Sequence, residues 1–599
     1  MLARLKNEIA YARGLLRALS QAKRVVEAPT LTIGDYLERW AKDYAERPAL
    51  IGQSESFTYR TLEARANRYA HWALVRGLGK GDAVCLMMRN RPEYLAIWMG
   101  LARVGVATAL VNTNLTGPSL AHSVAIVGAK AAIVEASLRA QLASAQEHLG
   151  ADLAVFVHGE TAGGESRIDE EVETFGEAPL AARERPALTI NDTALFIFTS
   201  GTTGLPKAAR ITHSRALRIM LGFSAAANAR AEDRMYICLP MYHTNGGVIA
   251  TGVALSVGGS CYIRERFSVS EFWSDAIQHG CTLFTYVGEL CRYLLNAPPS
   301  ANDRAHRIRL CVGNGLRPDI FSAFQARFGI GDVLEFYAAT EGNIALFNFD
   351  SHPGAVGRLP GWAAKRMPIK TVAFDVGECV EKRDVRGHCI ECGVDEPGEL
   401  LSEILEDPNK PAARFDGYAD SAATNAKILR DVFRPGDSWF RTGDLLKRDA
   451  RGYYYFVDRI GDTFRWKGQT VSTTEVAETI AIFPGVLEAI VYGVAIPAHE
   501  GRAGMAALVV DNIATFDLIG LRGLIAERLP AYARPVFLRF RPKFDLTSTF
   551  KPKKTELVAQ GFDPARGGDS IFFDDRGQGV YCRVDEAFVA DLKAGAIKL

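Results

Sequence analysis

Apolar and polar positions alternate along the chain in two rhythms. Tyr59 to Val75 and Glu93 to Val104 read as helices, while Ala83 to Met88, Val106 to Val111 and Ala131 to Val134 read as short buried strands. Tyr236 to Leu239 and Leu283 to Val287 continue the strand series. Helices alternating with strands in this way predict an α/β fold with a largely parallel sheet. Residues 160–190, rich in Glu, Gly, Ala and Pro, predict a loose surface connection. The rhythm changes near Arg459 to Gly461. Beyond it, the runs Ala489 to Val494, Gly504 to Val510 and Val536 to Phe540 predict strands and Leu518 to Leu529 a helix, which together make a small α+β unit. There is no internal repeat.

At the start of the chain, Leu2, Leu5, Ile9, Ala12, Leu16 and Leu19 recur at alternating spacings of three and four, which places them on one helical face. The same stretch, residues 1–24, carries Arg4, Lys6, Arg13, Arg17, Lys23 and Arg24 against Glu8. A basic amphipathic helix of this kind fits an anionic membrane surface, and equally well an apolar face of the protein itself or of a second subunit. The most apolar run, Leu95 to Val111, is interrupted by Arg103 and two glycines, so it predicts a core helix followed by a strand and not a membrane span.

Composition changes this picture little. The 599 residues exceed one ordinary domain, and 70 Lys and Arg balance 69 Asp and Glu, a parity that argues against a nucleic-acid-binding surface. Ten scattered cysteines and no visible secretory signal predict a reducing, cytoplasmic setting with free thiols. Cys379, His388, Cys389 and Cys392 include a Cys-x2-Cys pair but no second close pair, which makes a zinc site a weak expectation.

The chemistry concentrates at Leu195 to Lys207, LFIFTSGTTGLPK. A buried apolar strand runs into Thr199, Ser200, Gly201, Thr202, Thr203, Gly204 and Lys207. The glycines let backbone N–H groups approach an anion, the hydroxyls add donors, and the lysine adds a mobile charge. The spacing is not that of a Walker P-loop, because Leu-Pro-Lys follows Gly204. Further loops display polar groups directly after apolar runs: Pro240 to Gly247 with His243, Cys311 to Leu316 with Gly315, and Leu334 to Glu341 with Tyr337, Thr340 and Glu341. Asp444 follows a glycine turn from which a carboxylate can reach a diol, and Arg459 has the fork geometry to grip ribose or phosphate oxygens.

Taken together these stretches resemble the motif set of the AMP-forming adenylating superfamily, and within it the fatty-acid transport protein and very-long-chain acyl-CoA synthetase branch. Asp458 to Glu475, DRIGDTFRWKGQTVSTTE, and Gly313 to Ile320, GNGLRPDI, carry the resemblance to that branch, with support from Glu335 to Asn343, Thr549 to Lys551 and Gly561 to Pro564. After the basic amphipathic stretch over 1–30, which the resemblance does not cover, it implies a large multi-subdomain α/β adenylation domain over 31–459 and a small mobile α+β domain over 460–599. It also implies an ATP-dependent long- or very-long-chain fatty acid:CoA ligase that uses ATP, Mg²⁺ and coenzyme A and forms acyl-AMP before acyl-CoA. Related readings are a ligase for another carboxylic acid, one that passes acyl-AMP to a carrier protein, and a membrane-associated fatty-acid uptake protein on the inner face of the cell membrane.

By motif position, Thr199 to Lys207 would hold the β- and γ-phosphates, Thr340 the α-phosphate and Glu341 the Mg²⁺. Tyr337 would stack on adenine beside Gly315, and Asp444 and Arg459 would hold the ribose. Lys551 would bridge carboxylate and α-phosphate, His243 would lie near the acyl carboxylate and thiol path, and Gly468 would line the pantetheine path. The sequence departs from the wider pattern at Ala338, at Phe550 and at Gly461, where glycine suits a hinge.

Overall fold

The computed structural model describes residues 2–150, 152–161, 166–199, 205–364, 367–376, 378–407, 413–467, 469–497, 499, 501–547, 552–594 and 597. The chain divides into two compact units: Met1–Arg358 with Ser402–Arg430 and Ser438–Phe440, and Leu359–Leu401 with Asp431–Asp437 and Arg441–Leu599.

The first unit is α/β. One sheet runs in the order Ala154–His158, Ala129–Glu135, Ala83–Met87, Ala107–Leu110, Thr193–Thr199, Lys207–Thr212, parallel throughout except for the last, antiparallel pair. A second holds the parallel series Pro48–Ile51, Ser260–Ile263, Arg234–Ile237, Leu283–Val287, Leu310–Asn314, Asp332–Ala338, after which Ala345–Asn348 returns antiparallel. Parallel strands buried on both faces read as continuous apolar runs, which is how the sequence announced them. The expected core helix is Pro92–Arg103, started by a proline at its first turn and buried at every position. Its two charged residues are matched: Glu93 accepts from Arg65 Nε at 2.6 Å, and Arg103 pairs with Glu63 at 3.4 Å.

The N-terminal helix spans Leu2–Val26, and it seats on the first unit through the side opposite its apolar stripe. Tyr11 is buried and donates to the Arg358 carbonyl at 2.7 Å, the Arg358 guanidinium pairs with Glu8, and Val25 reaches the main core. Gly14 lies where any Cβ would strike the Phe349 ring at 2.5 Å. Ile9, Leu16 and Leu19 are left 42%, 66% and 52% exposed, so the periodicity located the helix but not its docked face.

The second unit contains the antiparallel pair Ser438–Arg448 and Tyr453–Arg459, from its residue Arg441 onward, and a five-stranded sheet. That sheet runs Val486–Ala495, Arg502–Val510, Phe537–Phe540, Ser570–Asp575, Val580–Arg583, antiparallel except between the second and third strands. Val476 and Ile480 of helix Thr473–Ala481 and Leu521 and Ile525 of Leu518–Arg528 pack with Phe537 and Leu538 in one core. The last two strands and the helix Glu586–Lys593 were not read from the sequence. Among the described residues no helix is long and apolar enough to cross a membrane, and no three His, Cys, Asp or Glu gather around a metal position.

Candidate active site

The phosphate-cradle sequence sits on a hairpin. Thr193–Thr199, buried from Ala194 to Phe198, pairs antiparallel with Lys207–Thr212, and Thr199 stands opposite Lys207 at the end where the two strands are joined. Ser200, Gly201, Thr202, Thr203 and Gly204 lie outside the described residues, as do Gly468 and Lys551. Along the second strand runs the segment Gly417 to Ala419: Arg210 N donates to Gly417 O at 2.9 Å and Ala419 N to Ala208 O at 2.8 Å. This fixes Tyr418, whose ring lies 5.9 Å from Lys207 Nζ and whose hydroxyl donates to Glu341 Oε1 at 2.8 Å. Burial, reinforced by the Glu341 charge, pushes the Tyr418 phenol far above its ordinary value, so it stays a donor. Lys427 Nζ is 4.0 Å from the same carboxylate oxygen.

Thr340 and Glu341 follow the strand Asp332–Ala338, and a buried arginine holds their turn. Arg215, on helix His213–Ala226, donates from Nη2 to Ala339 O and from Nε to Thr340 O, both at 2.9 Å. Burial lowers its pKa against the opposing pull of Asp416 and Glu341. Thr340 Oγ1 lies 3.1 Å from Thr244 Oγ1, which brings the His243 loop to the same place. That loop is a π-helical turn, Thr244–Ile249, a geometry enriched at functional sites. A Cβ on Gly247 would meet Met241 O at 1.9 Å and one on Gly246 would meet Pro240 O at 2.5 Å, so only glycine admits the turn. Asn90 pins its start, accepting from Met241 N and donating to Leu239 O, each at 2.8 Å. The His243 ring lies 4.7 Å from that of Tyr242.

On Asp332–Ala338, Leu334 and Phe336 face the core while Glu335 and Tyr337 share the other side of the strand. Glu335 is buried and accepts from Tyr286 Oη at 2.6 Å, Leu316 N at 2.9 Å and Gly315 N at 3.2 Å. It thereby holds Gly315, with its left-handed φ of +80°, beside the strand that carries Tyr337. Despite these three donors, burial raises the Glu335 carboxyl to about 7. Gly288 makes the approach feasible, since a Cβ there would fall 1.6 Å from Gly315 O.

Asp444 and Arg459 belong to the second unit, where they are direct cross-strand partners with Arg459 Nε 3.4 Å from Asp444 Oδ1. Gly443 takes φ +76° and donates to Glu399 Oε1 at 3.2 Å, and Arg441 binds the same carboxylate at 2.9 Å, so the turn before Asp444 is anchored.

Within the first unit the fold therefore brings together Thr199, Lys207, Thr340, Glu341 and the His243 turn, with Gly315 and Tyr337 joined through Glu335. Sequence reasoning missed Arg215, Tyr418, Lys427, Glu335 and Asn90 as parts of the site. The one local signal was a pair of arginines, Arg215 and Arg218, on a helix whose remaining positions are mostly apolar. As for a cation, Glu341 is a single carboxylate beside a phosphate-type hairpin. That donor set fits Mg²⁺, which takes one or two carboxylates and completes its shell with substrate phosphates and water.

A family model described as AMP-binding enzyme matches residues 37–402, and its companion, the AMP-binding enzyme C-terminal domain, matches 475–551. The chain belongs to the AMP-binding enzyme family. Human long-chain fatty acid transport protein 1 is 41% identical over 562 residues, 92% of this chain and 86% of that protein. Human long-chain fatty acid transport protein 3 is 41% identical over 530 residues, 87% of this chain and 76% of that protein. Among solved structures, the anthranilate CoA ligase AuaEII with anthranoyl-AMP shares the fold at 21% identity and TM-score 0.75, over 88% of this chain and 97% of that one. ATP-bound MatB from Rhodopseudomonas palustris does so at 24% identity and TM-score 0.72, over 88% and 99%.

Proposed function

We propose that this chain is an AMP-forming fatty acid:CoA ligase for long and very long chains. The observation that carries the reading is the Glu341 carboxylate held by Tyr418 beside the Thr199–Lys207 hairpin, with Thr340 next in chain. Such a site neutralises and positions phosphates and supplies no nucleophile of its own, as acyl transfer through an adenylate requires. The substrate class rests on the relatives named as long-chain fatty acid transport proteins.

In the first step a fatty-acid carboxylate oxygen attacks the α-phosphorus of ATP and pyrophosphate leaves. Thr199 to Lys207 bind the β- and γ-phosphates, Thr340 donates to the α-phosphate, and Lys551 stabilises the charge that develops there. Tyr337 and Gly315 bound the adenine, while Asp444 and Arg459 take the ribose hydroxyls. Glu341 would hold Mg²⁺, which supplies charge neutralisation when bound. In the second step the coenzyme A sulfur attacks the acyl carbon and AMP leaves with the bonding pair, the thiol path passing His243 and Gly468. Residues 460–599 turn about Gly461 between the two steps.

The protein works on the cytoplasmic side, resting on the inner face of the membrane through the outward side of Leu2–Val26. Ile9, Leu16 and Leu19 lie exposed there with the exposed cations Arg13, Lys23 and Arg24 on the same helix. Uptake of fatty acid then follows from its conversion to acyl-CoA. The test is product formation by the purified protein with ATP, Mg²⁺ and coenzyme A across fatty acids from medium to very long chain. Acyl-CoA and AMP in equal amounts are expected. Acyl-AMP without acyl-CoA would point to a carrier-protein acceptor, and no AMP with any fatty acid would refute the reading.

A further inference from the structure

We propose that Asp416 is a positioning residue that keeps the Arg215 guanidinium on the Ala339 and Thr340 carbonyls and off the Glu341 carboxylate. The proposal deepens the ligase reading above and rests on it. Arg215 and Arg218 stand three residues apart on helix His213–Ala226 and are neighbours on its surface. Arg215 directs two N–H groups to the backbone carbonyls, while Glu341, next in chain after Thr340, attracts its charge together with Asp416. Arg218 Nη1 is buried and has no hydrogen-bond partner among the described residues. Burial, followed by the Arg215 charge, pulls Arg218 down to about 10, and the carboxylate that opposes both is Asp416. Arg414 adds a third guanidinium, its Nε 2.9 Å from Asp416 Oδ1. One carboxylate thus answers three cations.

Local structure fixes Asp416 in this place. Thr212 caps the helix by accepting from Arg215 N at 3.2 Å, and its hydroxyl donates to Asp416 Oδ2 at 3.2 Å. The carboxylate therefore sits at a helix N-terminus, where negative charge is favoured. Two residues on, Tyr418 holds Glu341. Asp416 thus lies between the two supports of the Thr340–Glu341 turn. A guanidinium binds a carboxylate about twice as strongly as it binds a neutral carbonyl. Without the Asp416 charge, repulsion from Arg218 and Arg414 and attraction by Glu341 act on Arg215 unopposed. Its better partner becomes Glu341, which closes the carboxylate that would hold Mg²⁺ and releases the Thr340 turn.

The test follows Mg²⁺ in two ways: fatty-acid-dependent ATP–pyrophosphate exchange titrated with Mg²⁺, and the rise in melting temperature caused by ATP with Mg²⁺, which needs no fatty acid. Asp416→Asn keeps the size and an acceptor for Thr212 and removes the charge. It should raise half-saturation by Mg²⁺ about tenfold or more and shrink the melting shift. Arg218→Met removes a competing cation at similar volume and by itself should stay within about twofold of the wild type. Asp416→Asn/Arg218→Met should recover most of the loss, because the charge around Arg215 is again balanced. A carboxylate needed only for packing or for its hydrogen bond would not be rescued by a charge removed elsewhere. Should Asp416→Asn not fold, the double variant compared with Arg218→Met carries the same reading, with half-saturation within about threefold expected. An Asp416→Asn titration that superimposes on the wild type, or a tenfold loss that Arg218→Met leaves in place, overturns the proposal. A wild-type protein that shows the melting shift but no exchange with any fatty acid overturns the ligase reading instead, and the melting shifts of the variants then decide the role of Asp416.

Discussion

Replacing Tyr418 by Phe deletes one oxygen and leaves the ring in place. That oxygen donates to Glu341 Oε1 at 2.8 Å, with both side chains buried. A hydrogen bond to a charged group contributes about 1.5–3 kcal/mol. If this bond sets the direction of the carboxylate, its loss costs about 10- to 150-fold in a step that depends on that direction. Lys427, 4.0 Å from Oε1, is positioned to draw the freed carboxylate toward itself. The ring still faces Lys207 Nζ, so the substitution isolates the hydroxyl. Tyr418→Leu, which also removes the ring, should cost about 0.5–2 kcal/mol more. The assay is fatty-acid-dependent ATP–pyrophosphate exchange titrated with Mg²⁺ at fixed ATP, with the melting temperature measured alongside. Tyr418→Phe should move half-saturation by Mg²⁺ upward by about tenfold or more and lower the maximal rate, and Tyr418→Phe/Glu341→Gln should match Glu341→Gln. A Tyr418→Phe titration that superimposes on the wild type would refute the orienting role.

Three other outcomes are expected. Gly247→Ala forces a Cβ to within 1.9 Å of Met241 O, so the His243 turn must shift, and exchange activity should fall by about tenfold or more, at about 1–3 kcal/mol of overpacking; activity equal to wild type would mean the turn is adaptable. Glu335, raised to about 7 by burial, holds a proton in the folded state that the unfolded chain has released between about pH 4.5 and 7. Its contribution is therefore fully present below the ordinary carboxylate range and is lost as pH rises toward 7, so the melting temperature of wild type minus Glu335→Gln should fall from pH 5 to pH 7.5, and a flat difference would contradict the shift. Leu16→Glu with Leu19→Glu, both at exposed positions, should abolish binding to anionic vesicles and leave the melting temperature within about 2 °C; vesicle binding equal to wild type would remove the membrane-facing role of the helix.

How much was legible follows the range of each interaction. Strand and helix signals are local, and Tyr59–Val75 and Leu283–Val287 appear at the boundaries their patterns predicted. Asp444 and Arg459 were legible because each sits in a motif next to a turn, and the register then set them face to face. The supports were not legible. Arg215 reaches Thr340 from 125 residues away and Tyr418 reaches Glu341 from 77, and nothing in the immediate sequence of either tyrosine or arginine states its partner.

By itself the sequence determined the α/β class, the family and the chemical types gathered for an anionic substrate, because periodicity and motif spacing are properties of neighbouring residues. Tertiary structure alone decided which donors and acceptors meet. It gave Glu341 its phenol, Gly315 its buried carboxylate, and the N-terminal helix its seat on Tyr11, Gly14 and Val25. The physical reason is burial: a polar group removed from water must find a partner wherever the chain brings one, and this helix docks through Tyr11, Gly14 and Val25 while Ile9, Leu16 and Leu19 stay exposed.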